Sequence, residues 1–357
     1  MNVARARTAE APFATRLLRW FDLASRDLPW RRTRDPWAIW VSEVMLQQTR
    51  VEAVKAPYVR FLQRFPTPAA FAAASADDLL VAWRGLGYYR RARLLQQGAR
   101  TVVERHGGSV PADVPALAEL PGIGAYTRGA VASIAFGLPE VAVDGNVLRV
   151  TARHRGLRTG IDTGAGQRAV FAAVEGWLDR ERPGDFNQAM MELGATVCTK
   201  ASPKCAQCPV AGDCVARATD TVGELPVKKP PRAAVAVTAR VVLVLDGGRA
   251  LGHRLPEGGP NAGQVDLPGP GILRSVDAAD VAGALVTQFA ARVQTGAELA
   301  RIQHAITHHR ITLHAHAATL RQRGRLQWFP VTAATPWTTP ARKVFAAVGV
   351  GEPEQRA

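Results

Sequence analysis

LPGIGAYTRGA, residues 120–130, sets a Pro-Gly-x-Gly turn between two runs of helical character and puts Tyr126 two residues past the last glycine. Glycine reaches backbone conformations closed to other residues, and the N–H groups that open the following helix are placed to meet an anion. The turn alone leaves two readings open: an ordinary helix–helix connection, or a hairpin whose Gly122 and Gly124 let a phosphate approach. Outward from it, residues 13–217 carry apolar side chains at three- and four-residue spacing, punctuated by Pro and Gly, which is the pattern of an all-helical domain. Asp35-Pro36 has the form of an N-cap with proline at the first helical position. It opens WAIWVSEVMLQQTRVEAVKAPYVRFLQRF, a helical stretch expected to pause at Pro57 and stop at Pro66. Further helices are expected over DDLLVAWRGL, YRRARLLQQGARTVVERH, VPALAEL, AYTRGAVASIAF, DGNVLRVTARH and FNQAMMELGATVC.

All four cysteines fall in CTKASPKCAQCPVAGDC, at Cys198, Cys205, Cys208 and Cys214. Four thiolates this close suit either a tetrahedral zinc ion or a 4Fe-4S cluster. The gaps of six and five residues favour the bulkier cluster over paired short knuckles. Residues 218–232, ATDTVGELPVKKPPR, are polar and proline-rich and read as a linker. Beyond them the texture changes. VAVTARVVLVLDGGRALGHRL reads as two strands around a Gly-Gly turn, residues 277–294 as one amphipathic helix, and ITLHAHAATL alternates with period two. The expected organisation is a helical domain at 1–217, a linker at 218–232, a smaller α+β domain at 233–349 and a tail at 350–357.

The chain of 357 residues holds 45 Lys and Arg against 30 Asp and Glu, a net charge of +15, and all but six of the cations are arginine. Arginine binds phosphate bidentately, so a polyanionic partner is expected, against the plainer alternative of a solvated arginine-rich surface. No run reaches the roughly 18 apolar residues of a membrane span, and the N-terminal residues lack an apolar run of signal-peptide length. A cytoplasmic setting is the expectation, in which clustered cysteines bind metal rather than pair.

Two carboxylates draw attention. Glu43 lies in the apolar IWVSEVML, where it is either a helix glutamate turned to solvent or a buried acid with raised proton affinity. Asp144, in VAVDGNVLRV, has the position of a helix N-cap.

The cysteine spacing, LPGIG, and VDGNV some twenty residues later together resemble the helix-hairpin-helix DNA glycosylases of the endonuclease III superfamily. Within it, LPWRRTRDPWAIWVSEVMLQQTRV, GLGYYRRARLL and FNQAMMELGATVCT resemble the MutY-type adenine DNA glycosylases, which remove adenine mispaired with 8-oxoguanine. The match runs in order through most of residues 13–217. It implies a 4Fe-4S cluster on the four cysteines, double-stranded DNA with A:8-oxoguanine or A:G mispairs as partner, and a nucleoid-associated enzyme for which a monomer suffices. It also implies roles. Glu43 would protonate the flipped adenine and Asp144 stabilise the sugar cation, with Asn146 as its hydrogen-bonding neighbour. Arg26, Trp30, Arg31, Leu46 and Gln188 would border the adenine pocket. Gln48, Thr49, Leu86, Gly87 and Tyr88 would meet DNA around the lesion, Tyr88 as a stacking wedge, and Gly122 and Gly124 would hold a phosphate.

Tyr126 stands where related lyases carry a lysine that forms an imine. A phenol cannot form one, so hydrolysis with water as final nucleophile is expected, the Tyr126 hydroxyl bonding Asp144 or the reacting sugar. The resemblance further implies a Nudix-like C-terminal domain that reads 8-oxoguanine, here without the glutamate-rich helix that pyrophosphohydrolysis needs. The family's Phe-Ser-His triplet is replaced by Ile306-Thr307-His308, of which Thr307 and His308 are the expected contacts, and its Trp-Gly-Gly-rich segment by AGQVDLPGPG. His304, His308, His309, His314 and His316 are expected to be solvent-facing strand residues rather than a metal site. The alternatives are an endonuclease III-type pyrimidine glycosylase and lyase, and a non-enzymatic damage-binding protein.

Overall fold

The computed structural model describes residues 11–230, 233–259 and 261–351; residues 231–232 of the expected linker and 352–357 of the expected tail lie outside the described residues. Packing divides the chain into two units, residues 11–73 with 94–230, and residues 74–93 with 233–351. No described helix is long and apolar enough to cross a membrane.

The first unit is helical: α1 (Phe13–Ala24), α2 (Pro36–Leu46), α3 (Val51–Arg64) and α4 (Pro68–Ala72) precede α5 (Ala76–Ala82), which belongs to the second unit. Then follow α6 (Arg90–His106), α7 (Val114–Glu119), α8 (Ala125–Phe136), α9 (Gly145–Arg155), α10 (Gly164–Trp177), α11 (Pro183–Thr196) and α12 (Val215–Ala218). Asp35 caps α2 by accepting from Ala38 N at 2.8 Å, with Pro36 in the first turn. The expected pause at Pro57 is corrected. Pro57 lies inside α3, and the break falls at residues 47–50, where Gln48 takes φ 56°. Left-handed backbone ends a helix for any non-glycine residue, whereas the proline of α3 costs the helix one hydrogen bond without stopping it.

α2 has no polar face. Every residue from Trp37 to Met45 is buried, which makes it a central helix rather than an amphipathic one. Trp37 packs on Trp40, Phe61 and Phe71. A second cluster joins Leu17, Leu18 and Phe21 of α1 to Val147 and Val150 of α9 and to Phe186, Met190 and Leu193 of α11. Each such side chain contributes about 2 kcal/mol when taken from water. Asn187 of α11, fully buried, donates to Ser133 Oγ at 2.9 Å and to Glu140 O at 2.8 Å, and accepts from Ala142 N at 3.0 Å. It thereby fixes the 137–144 loop that delivers Asp144.

The second unit is α+β. β1 (Val235–Leu243), β6 (His309–Gln322) and β5 (Arg292–Ile306) form one sheet in the order β1-β6-β5, with β1 parallel and β5 antiparallel to β6. β2 (Leu245–Asp246), β3 (Arg249–Arg254) and β4 (Val265–Asp266) form a second, with β7 (Gln327–Pro330) also pairing β3. The Gly-Gly turn is present, Asp246 facing Arg249 across Gly247 and Gly248, but the long first strand pairs with β6, not with its neighbour in sequence. The single helix expected over 277–294 is corrected as well. A 3-10 turn at Ala278–Asp280 leads into α13 (Val281–Phe289), Ala290 takes φ 52°, and β5 begins at Arg292. α14 (Thr339–Ala347) closes the unit.

The histidines are not solvent-facing as a group. His314 is buried with Nδ1 2.7 Å from Glu298 Oε2, and His316 Nε2 lies 3.1 Å from an Arg240 nitrogen. They share the β6 face with Thr312, opposite the core-facing Ile311, Leu313 and Ala315, and it is their carboxylate and guanidinium partners that draw them from water.

Candidate active site

Glu43 enters from the middle of α2, a helix without a polar face, and is 5% exposed. Tyr126, in the first turn of α8, donates its hydroxyl proton to Glu43 Oε2 and lies 3.2 Å from Met191 Sδ. The expected Tyr126 contact with Asp144 is thus corrected: the hydroxyl is spent on Glu43. Burial pushes the Glu43 carboxyl up to about 7; the Tyr126 bond pulls it down, the Asp144 charge raises it and Arg31 opposes. A carboxyl raised this far can hold its proton near neutral pH, the condition a general acid needs.

Asp144 caps α9. Its Oδ1 accepts from the backbone N–H of Asn146 and Val147, each at 2.8 Å, and its Oδ2 from Asn146 Nδ2 at 2.8 Å. The cap reading and the site reading hold together, because the bonds that close the helix also fix the carboxylate. Burial raises the Asp144 carboxyl while these bonds stabilise its charged form. Of two nearby carboxyls, the one with three donors is placed to stay ionised and the one in the apolar helix to hold the proton.

Gly122 has φ 83° and a Cβ there would meet Leu94 Cβ at 3.0 Å, so the turn itself requires glycine. Gly124 is different. Its φ of −90° suits any residue, and open space surrounds its Cβ position. It is the N-cap of α8 with no side-chain cap, leaving first-turn N–H groups for an incoming anion.

Of the expected pocket residues, Trp30 is buried edge-on against Tyr58 at 5.5 Å, while Leu46 at the end of α2 and Gln188 on α11 are half-buried. Arg26 and Arg31 converge on a residue the sequence reading missed, Glu192 of α11. The signal was present: FNQAMMELG has a lone glutamate in apolar company, as IWVSEVML does. Arg149 was missed too. It donates to Asn146 Oδ1 at 2.8 Å, to Gly194 O at 2.6 Å and to Cys198 O at 2.8 Å, tying the Asp144 cap to the cysteine loop.

The expected DNA contacts sit in turns. Gln48 and Thr49 occupy the break after α2, with Thr49 Oγ1 donating to Gln47 O at 3.3 Å. Leu86 is buried, Gly87 has φ 67°, and Tyr88 is 52% exposed with φ 46°. Trp83 Nε1 donates to Gly87 O at 3.1 Å and Arg91 to Leu86 O at 2.9 Å, so the loop's two carbonyls are held from within its own unit. Thr307, φ 53°, and His308 form the two-residue tip between β5 and β6, whose last paired residues are Ile306 and His309. Cys198, Cys205, Cys208 and Cys214 line one cavity with Arg153 and Val197, and none of the four is in a disulfide.

Residues 41–173 match the family described as HhH-GPD superfamily base excision DNA repair protein. The chain is 48% identical over 214 residues to the adenine DNA glycosylase of Homo sapiens, covering 57% of this chain and 39% of that one. With the adenine DNA glycosylase of Arabidopsis thaliana it shares 38% identity over 303 residues, 74% of this chain and 48% of that one. The chain therefore spans less than half the length of these two relatives. Among solved structures, a thermostable thymine-DNA glycosylase superposes with a TM-score of 0.54 at 30% identity, over 58% of this chain and 95% of its own. With the hairpin, the capped aspartate and the cysteine loop in one helical unit, the chain belongs to the HhH-GPD superfamily of base excision DNA repair proteins.

Proposed function

We propose that this protein is an adenine DNA glycosylase that extrudes adenine opposite 8-oxoguanine or guanine and hydrolyses its N-glycosidic bond, leaving an uncut abasic site. The observation that carries the reading is the buried Glu43 carboxyl, held by Tyr126 and neighboured by the triply bonded Asp144. Glu43 gives its proton to N7 of the flipped base, the C1′–N9 bond breaks, Asp144 stabilises the sugar cation, and water adds at C1′, its released proton restoring the Glu43 carboxyl. The logic is that of a glycosidase with one acid and one carboxylate. Tyr126 orients the acid and offers no amine for an imine, so the backbone stays intact.

Flipping costs a few kcal/mol and leaves a gap to fill. Gln48, Thr49, Leu86, Gly87 and Tyr88 are assigned to that work, with Gly122 and Gly124 anchoring a phosphate and Arg26, Trp30, Arg31, Leu46 and Gln188 around the base. The second unit is read as a Nudix-like domain whose Thr307 and His308 meet the opposite base. The four cysteines are assigned to a 4Fe-4S cluster, whose part would be to brace the loop. The fit is supported by buried Arg153, which offers an N–H to Cys198 Sγ at 3.4 Å, as a thiolate cage demands. Four sulfurs round one cavity suit a larger group.

The test is single-turnover incubation with duplexes bearing adenine opposite 8-oxoguanine, guanine and thymine, with base loss and strand scission scored separately. Adenine release without scission is expected, and Glu43→Gln should slow release by about 10²–10⁴ while still binding the duplex. Near-normal release by that variant would remove Glu43 from the role; equal rates opposite 8-oxoguanine and guanine would remove lesion reading from the second unit.

A further inference from the structure

Glu192 is 1% exposed on α11, next to the Met191 whose sulfur touches the Tyr126 hydroxyl. Its Oε1 accepts from Arg26 N at 3.2 Å and Arg26 Nε at 2.7 Å, and its Oε2 from Arg26 Nη2 at 2.7 Å and Arg31 Nη2 at 2.9 Å. Arg31 in turn donates to Arg26 O at 3.0 Å and lies over the Phe21 ring at 5.2 Å. Three guanidinium donors from two cations and one backbone N–H therefore close on one carboxylate, which saturates it.

We propose that Glu192 is a positioning residue of the base pocket, gathering Arg26 and Arg31 into one ion-pair network so that their guanidinium groups are withheld from Glu43. The inference rests on the reading of Glu43 as the acid. Two arginines beside a carboxyl favour its ionised form, and a pocket for a neutral purine gains nothing from two free cations. With Glu192 in place the trio carries one net positive charge; without it, two. The groups facing Glu43 are Tyr126 from α8, Asp144 ahead of α9 and Arg31 from the 3-10 turn Pro29–Arg31, and Arg31 already pulls the Glu43 carboxyl down. Arg26 is in addition drawn by Glu52 of α3. Removing the Glu192 charge leaves only Asp144 and the distant Glu52 to offset the arginines, so Glu43 should lose its proton at lower pH.

The full chain as wild type, Glu192→Gln and Glu192→Asp is assayed for single-turnover adenine release across roughly pH 5 to 9, the range over which the acid titrates. Infrared titration of the protonated Glu43 carboxyl, assigned by its absence in Glu43→Gln, follows the same change without DNA. The Gln variant is expected to lose its rate, and the carboxyl band its intensity, at a pH lower by about one, a tenfold smaller acid population above neutrality. Glu192→Asp keeps the wild-type midpoint, and Arg31→Met added to Glu192→Gln returns it even if the single variant folds poorly. A Gln variant that is slower by one factor at every pH, with an unmoved band, would overturn the proposal and leave Glu192 a packing residue. If wild type releases no adenine the functional reading fails, while the infrared midpoints still decide the role of Glu192.

Discussion

Glu43 is costly to bury and is kept so by its surroundings. Burial pushes its carboxyl up from an ordinary 4.5 to about 7, so between these values the folded chain holds a proton the unfolded chain has lost. The sign follows: stability from this group is complete below about pH 4.5, declines as pH rises towards 7, and is gone above, a span of roughly 3 kcal/mol. Glu43→Gln carries no such dependence. Urea unfolding should therefore find the variant close to wild type near pH 5 and more stable by up to about 3 kcal/mol near pH 8. An equal difference at the two pH values would mean that burial does not set the Glu43 titration.

At the scale of elements, the hairpin ahead of α8 separates two uses of glycine. Gly122 holds left-handed backbone against Leu94, so Gly122→Ala should cost about 1–2 kcal/mol in thermal or urea unfolding. Gly124 lies in ordinary backbone beside open space, so Gly124→Ala should change stability by no more than about 0.5 kcal/mol yet weaken duplex binding, because a methyl group then stands where a phosphate would come. Loss of stability with intact binding at Gly124 would reverse that assignment. Gln48, Tyr88 and Thr307 show the same economy. Each is a non-glycine residue at positive φ, as are Asp220 and Ala290. Left-handed backbone at such residues is strain held by its neighbours.

For the whole molecule, the segment 74–93 is grouped with the C-terminal residues, although it interrupts the helical part of the sequence. Asp77 and Arg254 form a two-pronged ion pair at 2.8 Å, Arg84 donates to the carbonyls of Ala333 and Thr335, and Arg93 to that of Ala262. A chain ending at residue 230 would lose all of these partners. Hydrogen exchange at the amides of 76–93 should then accelerate about tenfold or more, the equivalent of 1.4 kcal/mol of local stability, while those of α9 and α11 stay protected. Unchanged protection across 76–93 would show that these bonds do not hold the segment.

Sequence by itself determined what depends on neighbours in the chain. The PGIG turn, the capped aspartate, the cysteine spacing and the apolar dress of α2 are local patterns, and local sterics and periodicity dictate them. Tertiary structure alone decided what joins residues far apart: Tyr126 to Glu43 across 83 positions, and Arg26 to Glu192 across 166. It also decided that α3 runs through Pro57 and that β1 pairs with β6. Such partners are selected by which groups packing deprives of water, since a buried hydroxyl, carboxylate or guanidinium must be satisfied by whatever the fold brings within reach. A sequence shows that Glu43 and Glu192 stand alone among apolar residues; only the folded chain gives one a tyrosine and the other two arginines, and with them their different chemistry.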